Sequence, residues 1–278
     1  MSAILALLSA LTWGTSDFFG GLLSKRHPVI AVVGASQIIG FVAVSLVVVA
    51  TGGAASVGAM SLAWLPWSAG AAVCGIGGLL CFYQALSTGT MGVVAPITGL
   101  GVVVPVILGL VRGDTLQVLT VVGMAVAIVG VVLASGPELS GEVGARPVLL
   151  AAGAAVLFGL ALFMIDGGSR TSTLMTVWGM RATSFVIFTG VAVATRSVGG
   201  LTSRDLPILT LIGCGDLGAN VLFGLASSMS QVSVAAVLGS LYPVVTVILA
   251  RLVLHERLRR IQQAGVALSL AGAALIAL

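Results

Sequence analysis

Residues 232–278 read VSVAAVLGSLYPVVTVILARLVLHERLRRIQQAGVALSLAGAALIAL. Two apolar runs, Val232–Leu254 and Ile261–Leu278, flank a charged knot, His255-Glu256-Arg257-Leu258-Arg259-Arg260, and Pro243 follows Tyr242 in the middle of the first run. Moved back by 142 positions (256 − 114), Ala235–Ala277 within this C-terminal stretch lies without a gap on Val93–Ser135, where a run ends at Arg112-Gly113-Asp114 and a second run follows. Asp114 then falls on Glu256, Leu116 on Leu258, Gly123 on Gly265, Gly130 on Gly272 and Leu133 on Leu275. Each match is weak alone in so apolar a chain. Together with the shared order of run, acid and run, they predict two copies of one membrane unit.

The rest of the 278 residues agrees with a membrane location. The chain is 59% hydrophobic and 7% charged, with a mean hydropathy of +1.23, whereas a soluble domain carries about 25% charged residues. A water-soluble fold of this length has too little interior to hide that much apolar surface. The net charge of +4 does not imply nucleic acid, because the basic residues stand singly or in small knots at the ends of apolar runs, as orienting charges do. Cys74, Cys81 and Cys214 lie inside apolar runs and read as small buried hydrophobes, with neither metal spacing nor a disulfide framework. Only Met1 and Ser2 precede the first run, without the positive region of a signal peptide, so that run is expected to stay as a spanning helix.

A helix needs about 20 apolar residues to cross the hydrocarbon core, and the runs are too long and too uniform for barrel strands. Ten are expected, making an all-α integral membrane protein: Ala3–Leu23, Val29–Thr51, Trp64–Leu86, Val93–Val111, Leu116–Ser135, Val148–Ile165, Leu174–Thr195, Leu206–Ser228, Val232–Leu254 and Ile261–Leu278. The most polar connector, 136–147, falls at the midpoint and reads as a linker between a five-helix repeat at 1–135 and another at 148–278. Five is odd, so the second copy enters the membrane from the opposite side, which makes the repeats inverted around a central cavity. Connectors after odd-numbered runs hold Lys25, Arg26, Arg146, Arg196, Arg204, Arg257, Arg259 and Arg260; those after even-numbered runs hold Arg112 and Arg170. By the positive-inside rule both termini face outward.

Glycine supplies 38 residues, and small residues let helix backbones approach in lipid. Thr12, Ser16, Gly20 and Ser24 make one such face, and Gly265, Ser269 and Ala273 another. Pro96 and Pro105 in the fourth run and Pro243 in the ninth are candidate helix breaks, each removing a backbone hydrogen bond. Freed carbonyls must face protein or a water-filled cavity, and interrupted helices at matching places in two halves point to a central site; kinks that only shape packing are the alternative.

Few polar residues lie deep in the runs, and these are the candidates for binding or coupling: Trp13, Asp17, Gln37, Tyr83, Gln84, Arg181, Asp216, Asn220 and Tyr242. Asp216 and Asn220 are four apart and share a helix face. Counted from the Gly199-Gly200 turn, Arg181 and Asp216 have nearly equal depths, so they are expected at one level, either as a structural ion pair or sharing a ligand. Asp17 has no partner in its own helix; it either exchanges a proton while buried or reaches water near Lys25-Arg26. Gly213-Cys214-Gly215-Asp216-Leu217-Gly218 spells a dinucleotide fingerprint but lies inside an apolar helix and is set aside. Nothing calls for an enzyme, a metal or a cofactor.

From Pro243 through His255-Glu256-Arg257-Leu258 to Gly265 and Gly272, and at Trp13-Gly14 and Arg181, the chain resembles the EamA family of the drug/metabolite transporter superfamily. The resemblance covers the whole chain as two tandem units. It implies a ten-helix carrier with a central cavity and alternating access. It further implies export of amino acids, metabolites or drugs without ATP, and termini often drawn on the cytoplasmic side, against the charge count. The first half departs from the pattern, with Asp114 in place of Glu256, no arginine beside it, and Ser36-Gln37 near the position of Arg181.

The expectation is a secondary active transporter of a small organic solute in the cytoplasmic membrane, with protons as a candidate coupling ion. An uncoupled facilitator or channel and a non-transporting scaffold are the rivals. The expected partners are the solute and the bilayer, not nucleic acid; a monomer and a homodimer are both left open.

Overall fold

A computed structural model describes residues 1–52, 62–88, 94, 97–134, 145–197, 199–253 and 260–277. With no water in the hydrocarbon core to satisfy backbone amides, long apolar runs close their hydrogen bonds within the segment, and the regular elements of the described residues are helices. They are α1 (Ser2–Leu23), α2 (Val29–Ala50), α3 (Trp64–Thr88), α4 (Val103–Val111), α5 (Val118–Ala134), α6 (Ala145–Thr195), α7 (Leu206–Ser228), α8 (Val232–Gly239), α9 (Tyr242–Val253) and α10 (Arg260–Ala277). Single 3₁₀ turns, Leu100–Val102 and Ser203–Asp205, precede α4 and α7. Among the described residues, Ser2–Leu23, Val29–Ala50, Trp64–Thr88, Ala145–Thr195 and Ser203–Ser228 are long and apolar enough to cross a membrane. Val42, Leu46, Val49, Val73, Val186 and Leu270 face outward, as lipid-facing residues do. The chain is an all-helical membrane protein with several apolar spans.

Three details differ from the sequence expectation. First, the connector expected between Ile165 and Leu174 is helical except at Ser172, whose extended backbone (φ −164°, ψ 112°) splits α6 into two legs. Ser172 caps the second leg: its Oγ accepts from the Met175 amide at 3.3 Å, three residues on. Second, the run Val232–Leu254 breaks at Ser240-Leu241 into α8 and α9. Pro243 has no N–H to reach the Gly239 carbonyl, so the helix stops and restarts. Third, Cys214 is exposed, and Cys74 and Cys81 are only half-buried, so none of the three is a core hydrophobe. The linker 136–147 falls mostly outside the described residues; Arg146 and Pro147 belong to α6. The knot from His255 to Arg259 and Pro96 also lie outside them.

The packing crosses between the two parts of the sequence. α1 packs on α7, and the first leg of α6 packs on α3. A shift of 142 (147 − 5) carries α1 onto that leg and α3 onto α7, so one contact is the counterpart of the other. α5 and α10 pair in the same manner. A Cβ on Gly130 would strike the backbone of Ser269, and one on Gly272 would strike Ala127. The two contacts are exchanged by the same shift, since 272 − 130 = 142 and 269 − 127 = 142. Reciprocal contacts of this kind are what a local two-fold axis produces.

Candidate functional site

Four helices bring one polar cluster into the apolar interior. Arg181, on the second leg of α6, is fully buried. Its stem runs beside Gly40 of α2, where a Cβ would make ordinary contact with Nε at 3.4 Å and Cδ at 3.5 Å and crowd only the Gly213 carbonyl, at 3.2 Å. Arg181 Nη2 reaches Asp216 Oδ2 of α7 at 2.7 Å, and Nη1 donates to Gln37 Oε1 of α2. Gln37 is held from both ends, because its Nε2 donates to Asp216 Oδ2 at 3.1 Å. Trp13 Nε1 of α1 and Asn220 Nδ2 each donate to Asp216 Oδ1 at 3.1 Å. One carboxylate thus takes donors from Trp13, Gln37, Arg181 and Asn220. A buried ion pair survives desolvation only when its remaining lone pairs and protons are satisfied in this way. Arg181 Nε is the exception, buried without a hydrogen-bond partner among the described residues.

Asp17 lies one turn from Trp13 on α1 and is buried, which removes the reading that it reaches water near Lys25-Arg26. Its Oδ1 accepts a hydrogen bond from the Tyr83 hydroxyl of α3 at 3.4 Å. No ion pair involves it among the described residues. The Tyr242 hydroxyl is buried with no hydrogen-bond partner among the described residues. Trp13, Asp17, Gln37, Asp216, Asn220 and Tyr242 contribute polar groups to a cavity of about 80 Å³ whose other walls, Phe158, Leu162 and Ile165 among them, are mainly apolar. Trp13 is braced from behind by Phe223, with ring centres 5.7 Å apart.

The helix breaks open onto the same cavity. Thr98 and Gly99, just before the 3₁₀ turn, line it, and so do Gly239, Ser240 and Tyr242. Thr98 and Ser240 are again 142 apart (240 − 98). Pro243 is buried at the start of α9; Pro105 is buried within α4. Gln84 sits apart from the cavity, near the end of α3, where its Nε2 donates to Ser87 Oγ at 3.3 Å.

A second charged group escapes the sequence reading. Asp166 is buried between Arg112 and Arg170. In the sequence these residues read as connector charges; the one signal is the four-residue spacing of Asp166 and Arg170 on what proves to be continuous helix.

The two crossing sets of helices, the two matched breaks and the buried polar cluster describe a doubled membrane unit around a cavity. The model of the EamA-like transporter family matches this chain twice, over residues 1–136 and 145–278. The chain belongs to that family. As an EamA-like transporter it is a multi-pass membrane transporter built of two EamA halves, and not an enzyme. A solved structure described only as "Crystal structure of protein" shares the fold, with a TM-score of 0.77 at 18% identity over 99% of this chain and 95% of that one. Among curated proteins no match is found.

Proposed function

We propose that the protein is a secondary active transporter that carries a small organic solute across the cytoplasmic membrane by alternating access, with export as the direction the family resemblance implies. The fold we propose for this transport is ten spans in two inverted five-helix repeats, at 1–135 and 148–278, joined by a linker at 136–147. The reciprocal contacts of α5 with α10, and of α1–α7 with α3–α6, support that arrangement.

One observation carries the reading: a buried carboxylate with no cationic partner among the described residues lines a mainly apolar cavity at the two helix breaks. The charged side chains of the cluster sum to a single negative charge, Arg181 offsetting Asp216 and leaving Asp17. A lone buried charge is expensive unless something pairs with it or neutralises it. Asp17 therefore suits a solute with a cationic group, or a proton, or each in turn. The titratable and charged groups around it are Asp216, Arg181, Tyr83 and Tyr242. The solute-binding and coupling residues proposed are Trp13, Asp17, Gln37, Tyr83, Arg181, Asp216, Asn220 and Tyr242. Gln84 has no part in the cavity and is left out.

The test is solute flux into proteoliposomes, with a panel of amino acids, nucleosides and organic cations, with and without an imposed pH gradient. Accumulation of one solute against its gradient, abolished when the pH gradient is collapsed, is the expected result. Uptake that only equilibrates would make the protein an uncoupled facilitator. Absence of flux across the panel would overturn the transport reading.

A further inference from the structure

Beyond the central cavity, a second pocket of about 410 Å³ is lined by Trp67, Arg112, Gly113, Asp114, Gly167 and Arg170. The two spaces are stacked along the same two helices. On α6, Leu162 and Ile165 face the first space and Gly167 and Arg170 the second; on α3, Ala72 faces the first and Trp67 the second. At about 1.5 Å per residue, the layer between them is roughly one helical turn thick.

Asp166 lies at the height of that layer along α6, among Phe163, Met164 and Trp67. Its side chain is 0% exposed, and its Oδ2 takes Arg112 Nη1 at 3.1 Å and Arg170 Nε at 3.1 Å. The Arg112 guanidinium lies 3.9 Å from the Phe163 ring centre and 5.0 Å from that of Trp67, so it plugs the space between α3 and α6. Arg112 comes from the end of α4, in the first half; Asp166 and Arg170 come from the second. The same turn is tied to the second half twice more. Asp114 Oδ2 accepts from the Ser233 amide at 3.1 Å and its hydroxyl at 2.6 Å, and Gln231 Nε2 donates to the Thr115 carbonyl at 2.7 Å. Gly113, at φ +101°, supplies the left-handed turn that lets its two neighbours engage different partners.

A permanent buried ion pair needs one arginine for one carboxylate, and here there are two with different attachments. Arg170 is one turn along the same helix as Asp166, so it travels with it. Arg112 belongs to the other half, so its attachment changes when the halves move relative to each other; its side chain is 30% exposed and that of Arg170 54%. Breaking an ordinary buried pair strands a charge in a dry interior, which is strongly unfavourable. Here the departure of Arg112 leaves Asp166 still paired. We propose that Arg112 is a detachable latch that closes the passage between the central cavity and the outer pocket, and that Arg170 holds the Asp166 charge while the latch is open. The inference rests on the central cavity being the solute's station.

The test uses the full chain with Cys74, Cys81 and Cys214 replaced by alanine and one reporter, Leu162→Cys, in the central cavity. A charged, membrane-impermeant methanethiosulfonate is applied to each side of membrane vesicles, and the labelling rate is read. From the side bearing the outer pocket, Arg112→Gln should raise the rate at least ten-fold, Arg112→Lys should keep it near the parent value, and Arg170→Gln should not raise it. Asp166→Asn, which keeps the side chain's size and removes the latch's anchor, should match Arg112→Gln; it gives a second route should that variant misassemble, as judged by size-exclusion chromatography. An unchanged rate in both Arg112→Gln and Asp166→Asn overturns the latch. Equal acceleration in Arg170→Gln overturns the division of labour between the arginines. The readout needs no solute, so a protein that moves nothing across the panel sinks the transport reading while labelling still reports on the latch.

Discussion

At the scale of single residues, Arg181 and Asp17 should behave in opposite ways. Arg181→Ala leaves the half-buried Asp216 carboxylate with only neutral donors from Trp13, Gln37 and Asn220. Removing one partner of a buried pair costs about 3–5 kcal/mol, so denaturant unfolding in detergent should show a loss of that order. Replacing both partners, Arg181→Met with Asp216→Leu, removes both charges and should recover most of the loss, since apolar replacement of a buried pair is often neutral or stabilising. A single variant with the parent's stability would contradict the network. Asp17→Asn differs, because it deletes a charge that has no cationic partner and keeps an oxygen for the Tyr83 hydroxyl at 3.4 Å. It should be as stable as the parent or more so, yet lose gradient-driven flux. Retention of full coupled flux would remove Asp17 from the mechanism.

At the scale of elements, close approach of α5 and α10 rests on glycines rather than on side-chain interlock. Gly272→Val would drive a branched side chain into the Ala127 backbone, and overpacking of this kind costs about 1–3 kcal/mol. Gly153→Ala is the control on α6: nothing lies within 4 Å of the new Cβ, and alanine favours a helix over glycine by about 1 kcal/mol. Thermal unfolding should move down for the first and up or not at all for the second; equal shifts would mean that the glycines are there for backbone freedom alone. The pairing was legible in the sequence only as register: Gly130 and Gly272 align in the 142-residue repeat, but the alignment does not say that they meet across one interface. The Arg181–Asp216 level was legible because both count depth from one turn. Trp13 and Gln37 as co-ligands were not, since helix order does not fix which helices from different halves become neighbours. The Asp166 group was hidden for a more physical reason. Asp166, Gly167, Gly168, Ser169 and Arg170 look like a polar connector, whereas Asp166 is paired both with Arg170 one turn along the same helix and with Arg112 from another element, and the helix continues through them.

At the scale of the whole molecule, neither half buries its own first helix. α1 spends its packing face on α7 and α9, and the first leg of α6 spends its face on α3 and α4. Ser9 Oγ even donates across the halves to the Ala219 carbonyl at 2.8 Å. Separated, each half would leave stripes of alanine, serine and glycine facing lipid, where small residues gain nothing from hydrophobicity and lose the close backbone contacts that hold membrane helices together. The polar cluster would be divided too, with Trp13 and Gln37 in one piece and Arg181, Asp216 and Asn220 in the other. A chain cut within residues 135–144 therefore makes a sharp prediction. Expressed alone, residues 1–134 or 145–278 should be digested rapidly by protease in membranes and should aggregate on extraction. Expressed together from two messages, they should co-purify as one complex, resist protease and retain the unfolding midpoint of the intact chain to within a few degrees. A half that is protease-resistant and monodisperse by itself would show that the halves are independent folding units. The crossed packing would then be docking between finished domains, and the cavity a seam between them, not a product of their folding.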